Sequence, residues 1–127
     1  MSELTILVAE DERDIRELIV FTLQLGGFKV VEVPNGAEAV KKALEIKPDL
    51  ILMDVRMPIK TGYEACEEIK SREDTKNIPV VFLSAKGQEA EVSAGLKLGA
   101  EEYFLKPFAP DELSERVNKV LAKYGKL

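Results

Sequence analysis

Five short apolar runs, each followed by a stretch with helical spacing, constrain this chain more than any other feature of its sequence. The runs are Leu4 to Ala9, Lys29 to Val33, Leu50 to Met53, Val80 to Leu83 and Tyr103 to Leu105. They begin about 20 to 30 residues apart, the length of one strand plus one returning helix. The first, third and fourth are nearly continuous in Ile, Leu and Val. Such runs suit strands covered on both faces, as in a parallel sheet.

The segments between them read as helices. Asp14 to Leu25 places Ile15, Leu18, Ile19 and Thr22 on one face, and Gly26-Gly27 stops it. Gly36 to Ile46 groups Ala39, Val40, Ala43 and Leu44, and Pro48 prevents continuation. Tyr63 to Ser71 carries Ala65, Cys66 and Ile69 among charges. Gln88 to Leu98 is a weaker helix, with Gly95 inside it and Gly99 after it. Pro110 to Lys123 has Pro near its start and Leu113, Val117, Val120 and Leu121 on one face. The charges from Lys70 to Lys76 read as a solvated loop. Strand–helix alternation repeated five times predicts an α/β, doubly wound, five-stranded parallel sheet with five helices. The expected strand order is the flavodoxin-like 2-1-3-4-5, in one domain over residues 1–127.

Composition narrows the chemistry. The 127 residues include no His and one Cys, so a Ser-His-Asp site, an imidazole metal ligand and an internal disulfide are all excluded. A single thiol fits a reducing, cytoplasmic compartment. The 18 Lys plus Arg against 23 Asp plus Glu leave a net charge of −5, which argues against a non-specific nucleic-acid binder. The apolar stretches are too short to span a membrane, and no basic segment precedes an apolar run at the N-terminus. Any reaction must rest on carboxylates, Lys and hydroxyls.

In an open parallel sheet, ligands bind beyond the carboxyl ends of the strands, at the point where the strand order reverses. Glu10, Asp11 and Glu12 follow the first strand, Asp54 the third, Ser84 the fourth and Lys106 the fifth. Taken singly, each reads as a turn, cap or strand-exit residue. Together they set an acid pair, an acid, a hydroxyl and an ammonium at one rim. Strands one and three are neighbours in the expected order, so Glu10, Asp11 and Asp54 converge. Two carboxylates about 4 Å apart repel by about 4 kcal/mol at an effective dielectric near 20. Such a cluster needs protonation or a cation, and hard oxygen ligands suit Mg²⁺.

The ordered fragments resemble the receiver domain of bacterial two-component response regulators. They are Ile6-Leu7-Val8-Ala9-Glu10-Asp11, Asp49 to Pro58 with Gly62, Phe82-Leu83-Ser84-Ala85, Leu98-Gly99-Ala100, Tyr103 and Lys106-Pro107-Phe108. The resemblance covers essentially the whole chain and implies a signalling phosphoacceptor, not a turnover enzyme. It implies that Asp54 accepts a phosphoryl group, and that Asp11, Asp54, the Arg56 backbone carbonyl and Glu10 through a water hold Mg²⁺. Lys106 would pair with Asp54 and then with phosphoryl oxygens, Ser84 would hydrogen-bond the phosphoryl group, and Tyr103 would change rotamer. The Lys106-Pro107 bond is similar to one that is cis in the family. The implied donor is a sensor histidine kinase or a histidine phosphotransfer protein. The implied output surface, formed by the fourth helix, fifth strand and fifth helix, meets a downstream protein. No direct nucleic-acid contact is expected.

Two features depart from the commonest pattern. The acid pair is Glu-Asp where Asp-Asp is commonest, and Ser84 stands where Thr is also frequent. Arg56 and Lys86, two residues after Asp54 and Ser84, are both basic and are expected to alter phosphoryl lifetime. The rival to a stand-alone receiver is the same domain within a longer regulator with a DNA-binding or enzymatic output. A metal-dependent phosphatase is disfavoured because Arg56 occupies the place of its usual second acid. A pseudo-receiver is disfavoured because Asp11, Asp54 and Lys106 are all present. A flavodoxin-like electron carrier is disfavoured because no Ser/Thr/Gly-rich phosphate loop follows the first strand.

Overall fold

The near-continuous apolar runs do form strands buried on both sides. A computed structural model describes residues 3–85, 99–100, 102–106 and 109–126, with residues 84, 85, 105, 106 and 110 described by their backbone. The fourth expected helix, Lys86 and Pro107 lie outside the described residues. The strands are β1 (Thr5–Ala9), β2 (Lys29–Val33), β3 (Leu50–Asp54), β4 (Val80–Ala85) and β5 (Glu102–Lys106). The described helices are α1 (Arg13–Leu25), α2 (Gly36–Ile46), α3 (Gly62–Lys70) and α4 (Pro110–Lys123). The strands form one sheet in the order β2-β1-β3-β4-β5, every neighbouring pair parallel. This is the expected flavodoxin-like arrangement, with its reversal of direction between β1 and β3.

Alternation along the strands divides the core in two. Leu7, Ala9, Ile51, Met53, Val80 and Phe82 pack with α2 and α3 through Ala39, Val40, Ala43, Ala65, Cys66 and Ile69. Ile6, Val8, Leu50, Leu52, Val81 and Leu83 pack on the other face with α1 and α4, through Ile19, Leu23, Leu113, Val117, Val120 and Leu121. Each fully buried Leu, Ile or Phe contributes about 1.5–3 kcal/mol. Helix ends follow their local chemistry. Gly27, at φ +91°, turns the chain after α1. The Asn35 side chain accepts the Glu38 N–H at 2.8 Å and caps α2. Pro110 at the first turn suits the start of α4.

Two expectations are corrected. Leu18, placed on the buried face of the first helix, is 49% exposed. Ile19, Thr22 and Leu23 turn toward the sheet instead, leaving Leu18 at the edge of the stripe. There it lines an open groove with Phe21, Leu25, Asp111 and Ser114. The stretch from Lys70 to Lys76 is not wholly solvated. Thr75 is buried and its hydroxyl donates to the Ile69 carbonyl at 2.7 Å. The Lys70 ammonium donates to the Ile78 carbonyl at 2.6 Å, which anchors this stretch to the entry of β4.

Candidate functional site

The sheet register brings the first acids together. Ala9 on β1 is paired with Met53 on β3, so Glu10 and Asp54 stand side by side at the same rim. The Glu10 N–H donates to the Val33 carbonyl at 3.1 Å, extending the ladder to β2. Its carbonyl accepts from Arg16 Nη1 at 2.8 Å, and Arg16 Nε lies 3.0 Å from Glu32 Oε1. The Glu10 backbone is therefore held from both α1 and β2. Asp11 follows it into solvent.

One carboxylate oxygen from each of Glu10, Asp11 and Asp54 lies within 4.8 Å of the others. Glu10 is fully buried, Asp54 is 8% exposed and Asp11 is exposed. If all three were ionised, each pair would repel by about 4 kcal/mol at an effective dielectric near 20. The donors are all hard oxygens, two shielded from water and one open to it. That set fits Mg²⁺, which takes a few carboxylates and keeps several waters. The Arg56 N–H donates to Asp54 Oδ1 at 3.3 Å. An open cleft lies beside the cluster, lined by Asp11, Arg56, Pro58, Thr61 and Tyr63 among others.

Backbone register brings two further predicted residues to this edge of the sheet. Asp54 pairs with Leu83, so Ser84 follows directly, and Lys106 pairs with Ala85 at the end of β5. Tyr103 is partly buried against the α2/α3 side of the core, and its carbonyl accepts from Arg116 Nη2 at 3.2 Å. Arg116 also lies over the Phe104 ring at 4.2 Å and pairs with Glu102 at 2.5 Å.

The segment from Val55 to Thr61 forms one wall of the cleft and is tied down at several points. The Gly62 N–H donates to the Val55 carbonyl at 2.9 Å, and a Cβ on Gly62 would sit 2.2 Å from the Asp54 carbonyl oxygen. The Gly36 N–H donates to the Lys60 carbonyl at 3.1 Å, and a Cβ there would sit 2.1 Å from that oxygen. Only glycine fits at either close approach. Thr61 and Glu64 form a reciprocal capping box at the start of α3. Its hydrogen bonds hold the Glu64 carboxyl below its ordinary range. The Lys60 ammonium pairs with Glu68, and with Arg72 it lowers the Glu68 carboxyl likewise. Between these ties, the Lys60 N–H donates to the Pro58 carbonyl at 2.7 Å across Ile59, whose φ is +71°. This is a γ-turn of the rare positive-φ kind. A β-branched residue in that region is strained by roughly 1–3 kcal/mol.

Reading the sequence strand end by strand end locates the acids but misses Arg16, which acts from a helix on a backbone carbonyl. It also misses the cap at Thr61, although Thr-x-x-Glu ahead of Ala65-Cys66 is a readable signal.

Residues 6–118 match the model of the response regulator receiver domain. The chain belongs to this family. It is 42% identical over 118 residues to the phosphate regulon transcriptional regulatory protein PhoB of Escherichia coli, covering 93% of this chain and 52% of that protein. It is 40% identical over 121 residues to PhoB of Pseudomonas aeruginosa, covering 95% of this chain and 53% of that one. The chain thus spans about half the length of these curated relatives. Among solved structures, the chemotaxis response regulator CheY4 of Vibrio cholerae superposes with a TM-score of 0.88 at 29% identity, covering 94% of this chain and 99% of that one. The receiver domain of the sensor histidine kinase PA1611 from Pseudomonas aeruginosa PAO1 superposes with a TM-score of 0.84 at 30% identity, covering 97% and 98%. That structure holds a magnesium ion in its active-site cleft. Among the described residues, no helix is long and apolar enough to cross a membrane.

Proposed function

We propose that this domain is a Mg²⁺-dependent phosphoacceptor that takes a phosphoryl group from a phosphohistidine on another protein. The observation that carries this reading is the convergence of Glu10, Asp11 and Asp54 at the reversal point of the sheet. An Asp54 carboxylate oxygen attacks phosphorus, the N–P bond of the donor breaks, and the imidazole leaves with the electron pair. The product is an acyl phosphate on Asp54. Glu10, Asp11, Asp54 and the Arg56 carbonyl are the residues that would hold Mg²⁺. When bound, the ion supplies positive charge against the phosphoryl oxygens, whose transition state is loose and governed by positioning and electrostatics. The magnesium reported in the PA1611 receiver supports this assignment. Lys106 adds a second cation, Ser84 a hydroxyl donor, and Arg56 and Lys86 modulate access of water to the phosphoryl group.

The output is a change in the surface that includes β5 and α4, with Tyr103 as its reporter. A downstream protein reads it. The donor on this reading is a sensor histidine kinase or a histidine phosphotransfer protein, in the cytoplasm. On this reading the domain turns over no external substrate and catalyses only its own phosphorylation and slow dephosphorylation. The relatives named as transcriptional regulators, about twice as long, favour a second reading of its context: the receiver part of a DNA-binding regulator.

Incubation with Mg²⁺ and acetyl phosphate tests the assignment. The wild type gains one base-labile phosphoryl group by intact-mass spectrometry, and Asp54→Asn gains none. Labelling that survives in Asp54→Asn overturns it.

A further inference from the structure

We propose that Asn35-Gly36 is a site of spontaneous modification, loss of the Asn35 side-chain amide, which the native fold holds closed and which opens when α2 parts from the Lys60 carbonyl. It does not depend on the phosphoacceptor reading. The chain has asparagines at 35, 77 and 118, and only Asn35 precedes a glycine. With no Cβ, Gly36 leaves its own nitrogen unshielded for attack on the neighbouring side chain. The fold cannot avoid this pairing. A Cβ at residue 36 would sit 2.1 Å from the Lys60 carbonyl oxygen, so glycine is obligatory there. Residue 35 caps α2, which calls for a short polar side chain.

In the reaction, hydroxide removes the Gly36 amide proton and the nitrogen attacks Cγ of Asn35. A C–N bond forms, the Cγ–Nδ2 bond breaks, and Nδ2 leaves as ammonia with a proton taken from water. Water then opens the five-membered imide. Opening at Cγ yields aspartate, which still caps the helix. Opening at the main-chain carbonyl of residue 35 yields isoaspartate, whose main chain runs through the former side chain.

The structure opposes the first step at both reacting atoms. The Gly36 N–H donates to the Lys60 carbonyl at 3.1 Å, so the proton to be removed is already held by an acceptor. Asn35 Oδ1 accepts the Glu38 N–H at 2.8 Å, which pins the side chain against the first turn of α2. At φ −157° and ψ 171°, residue 35 is extended and the Gly36 nitrogen is staggered from its Cβ, whereas a flat five-membered ring needs the two eclipsed. Asn35 is only 9% exposed and Gly36 is buried, which keeps hydroxide out. Ring closure therefore requires the start of α2 to part from Lys60, and the rate of amide loss records how often that contact opens.

The test holds the protein at mildly alkaline pH, folded and in unfolding guanidinium chloride, and follows each asparagine by peptide mass spectrometry. In the unfolded chain Asn35 gains the mass of an amide becoming an acid, in two separable products, faster than Asn77 and Asn118. In the folded protein Asn35 converts at least about tenfold more slowly, because only the open fraction reacts. Equal rates at the three asparagines in the unfolded chain overturn the proposal, as do equal rates at Asn35 in the folded and unfolded protein. Below the unfolding transition, added guanidinium raises amide loss at Asn35 in proportion to hydrogen exchange of the Gly36 N–H, read by NMR. Amide loss that follows global unfolding alone, while Gly36 exchanges below it, overturns the assignment to the contact between α2 and Lys60.

Discussion

Along β1, four consecutive residues from Ile6 to Ala9 are apolar and fully buried, and the next, Glu10, is equally buried and carries a carboxylate. The same change occurs on β3, where Leu50 to Met53 give way to Asp54. One residue of chain separates a region where burial stabilises from a region where it stores repulsion. The sheet interior contributes stability through each apolar side chain it removes from water. The rim spends part of that stability to hold three acids close together. The contrast shows why the site lies at strand ends: the ladder fixes backbone position up to the last pair, and the side chains beyond it are free to carry charge.

The sharpest way to break this comparison is to weaken the interior. Phe82 is fully buried and meets the Tyr63 ring edge-on at 5.2 Å. Phe82→Ala is expected to lose about 3–5 kcal/mol in urea unfolding. Neutralising the rim should do the opposite. In metal-free buffer, Asp54→Asn is expected to gain about 1–3 kcal/mol, because one member of the repelling cluster is gone. Saturating Mg²⁺ should shrink or reverse that gain, and a metal-free variant less stable than wild type would contradict the repulsion. Next, Arg16→Ala releases the Glu10 carbonyl. Mg²⁺ affinity by calorimetry is expected to fall about tenfold, the usual loss for a group that orients a ligand. Thr61→Ala removes the cap of α3 and is expected to lose about 1 kcal/mol.

The smallest effect concerns the surface beside the loop. Lys60 and Arg72 lower the Glu68 carboxyl from its ordinary 4.5. A lowered carboxyl contributes stability that is fully present above that ordinary value and is lost as pH falls through the lowered one. Thermal melts of Glu68→Gln and wild type should therefore differ by a constant amount above pH 4.5 and converge in more acid solution. A gap that persists at low pH would mean the side chain acts through packing.

The strands and helices were readable because their burial is simple. β2, α2 and the Pro110–Lys123 helix begin and end where spacing and breakers put them. β3, β4 and β5 run one or two residues past their apolar runs, because the parallel ladder continues through Asp54, Ala85 and Lys106 whatever their polarity. The acids were readable because the rule for parallel sheets concerns strand ends. Leu18 was misread because a helix packed on a sheet at one side and on α4 at another has two apolar edges. The roles of Arg16 and Gly36 were hidden for another reason. Each acts on a backbone carbonyl supplied by a different element, and no local pattern records such a partner.

The glycine contact between α2 and the cleft wall has an evolutionary consequence. Val55 to Thr61 is fastened at both ends and again at Lys60, where Gly36 grips the main chain. Lineages can therefore exchange the side chains on this segment without altering its length. An inserted or deleted residue would carry Lys60 past its anchor and detach the wall from α2. Substitutions here leave unchanged the ruler that sets the wall's distance from Asp54.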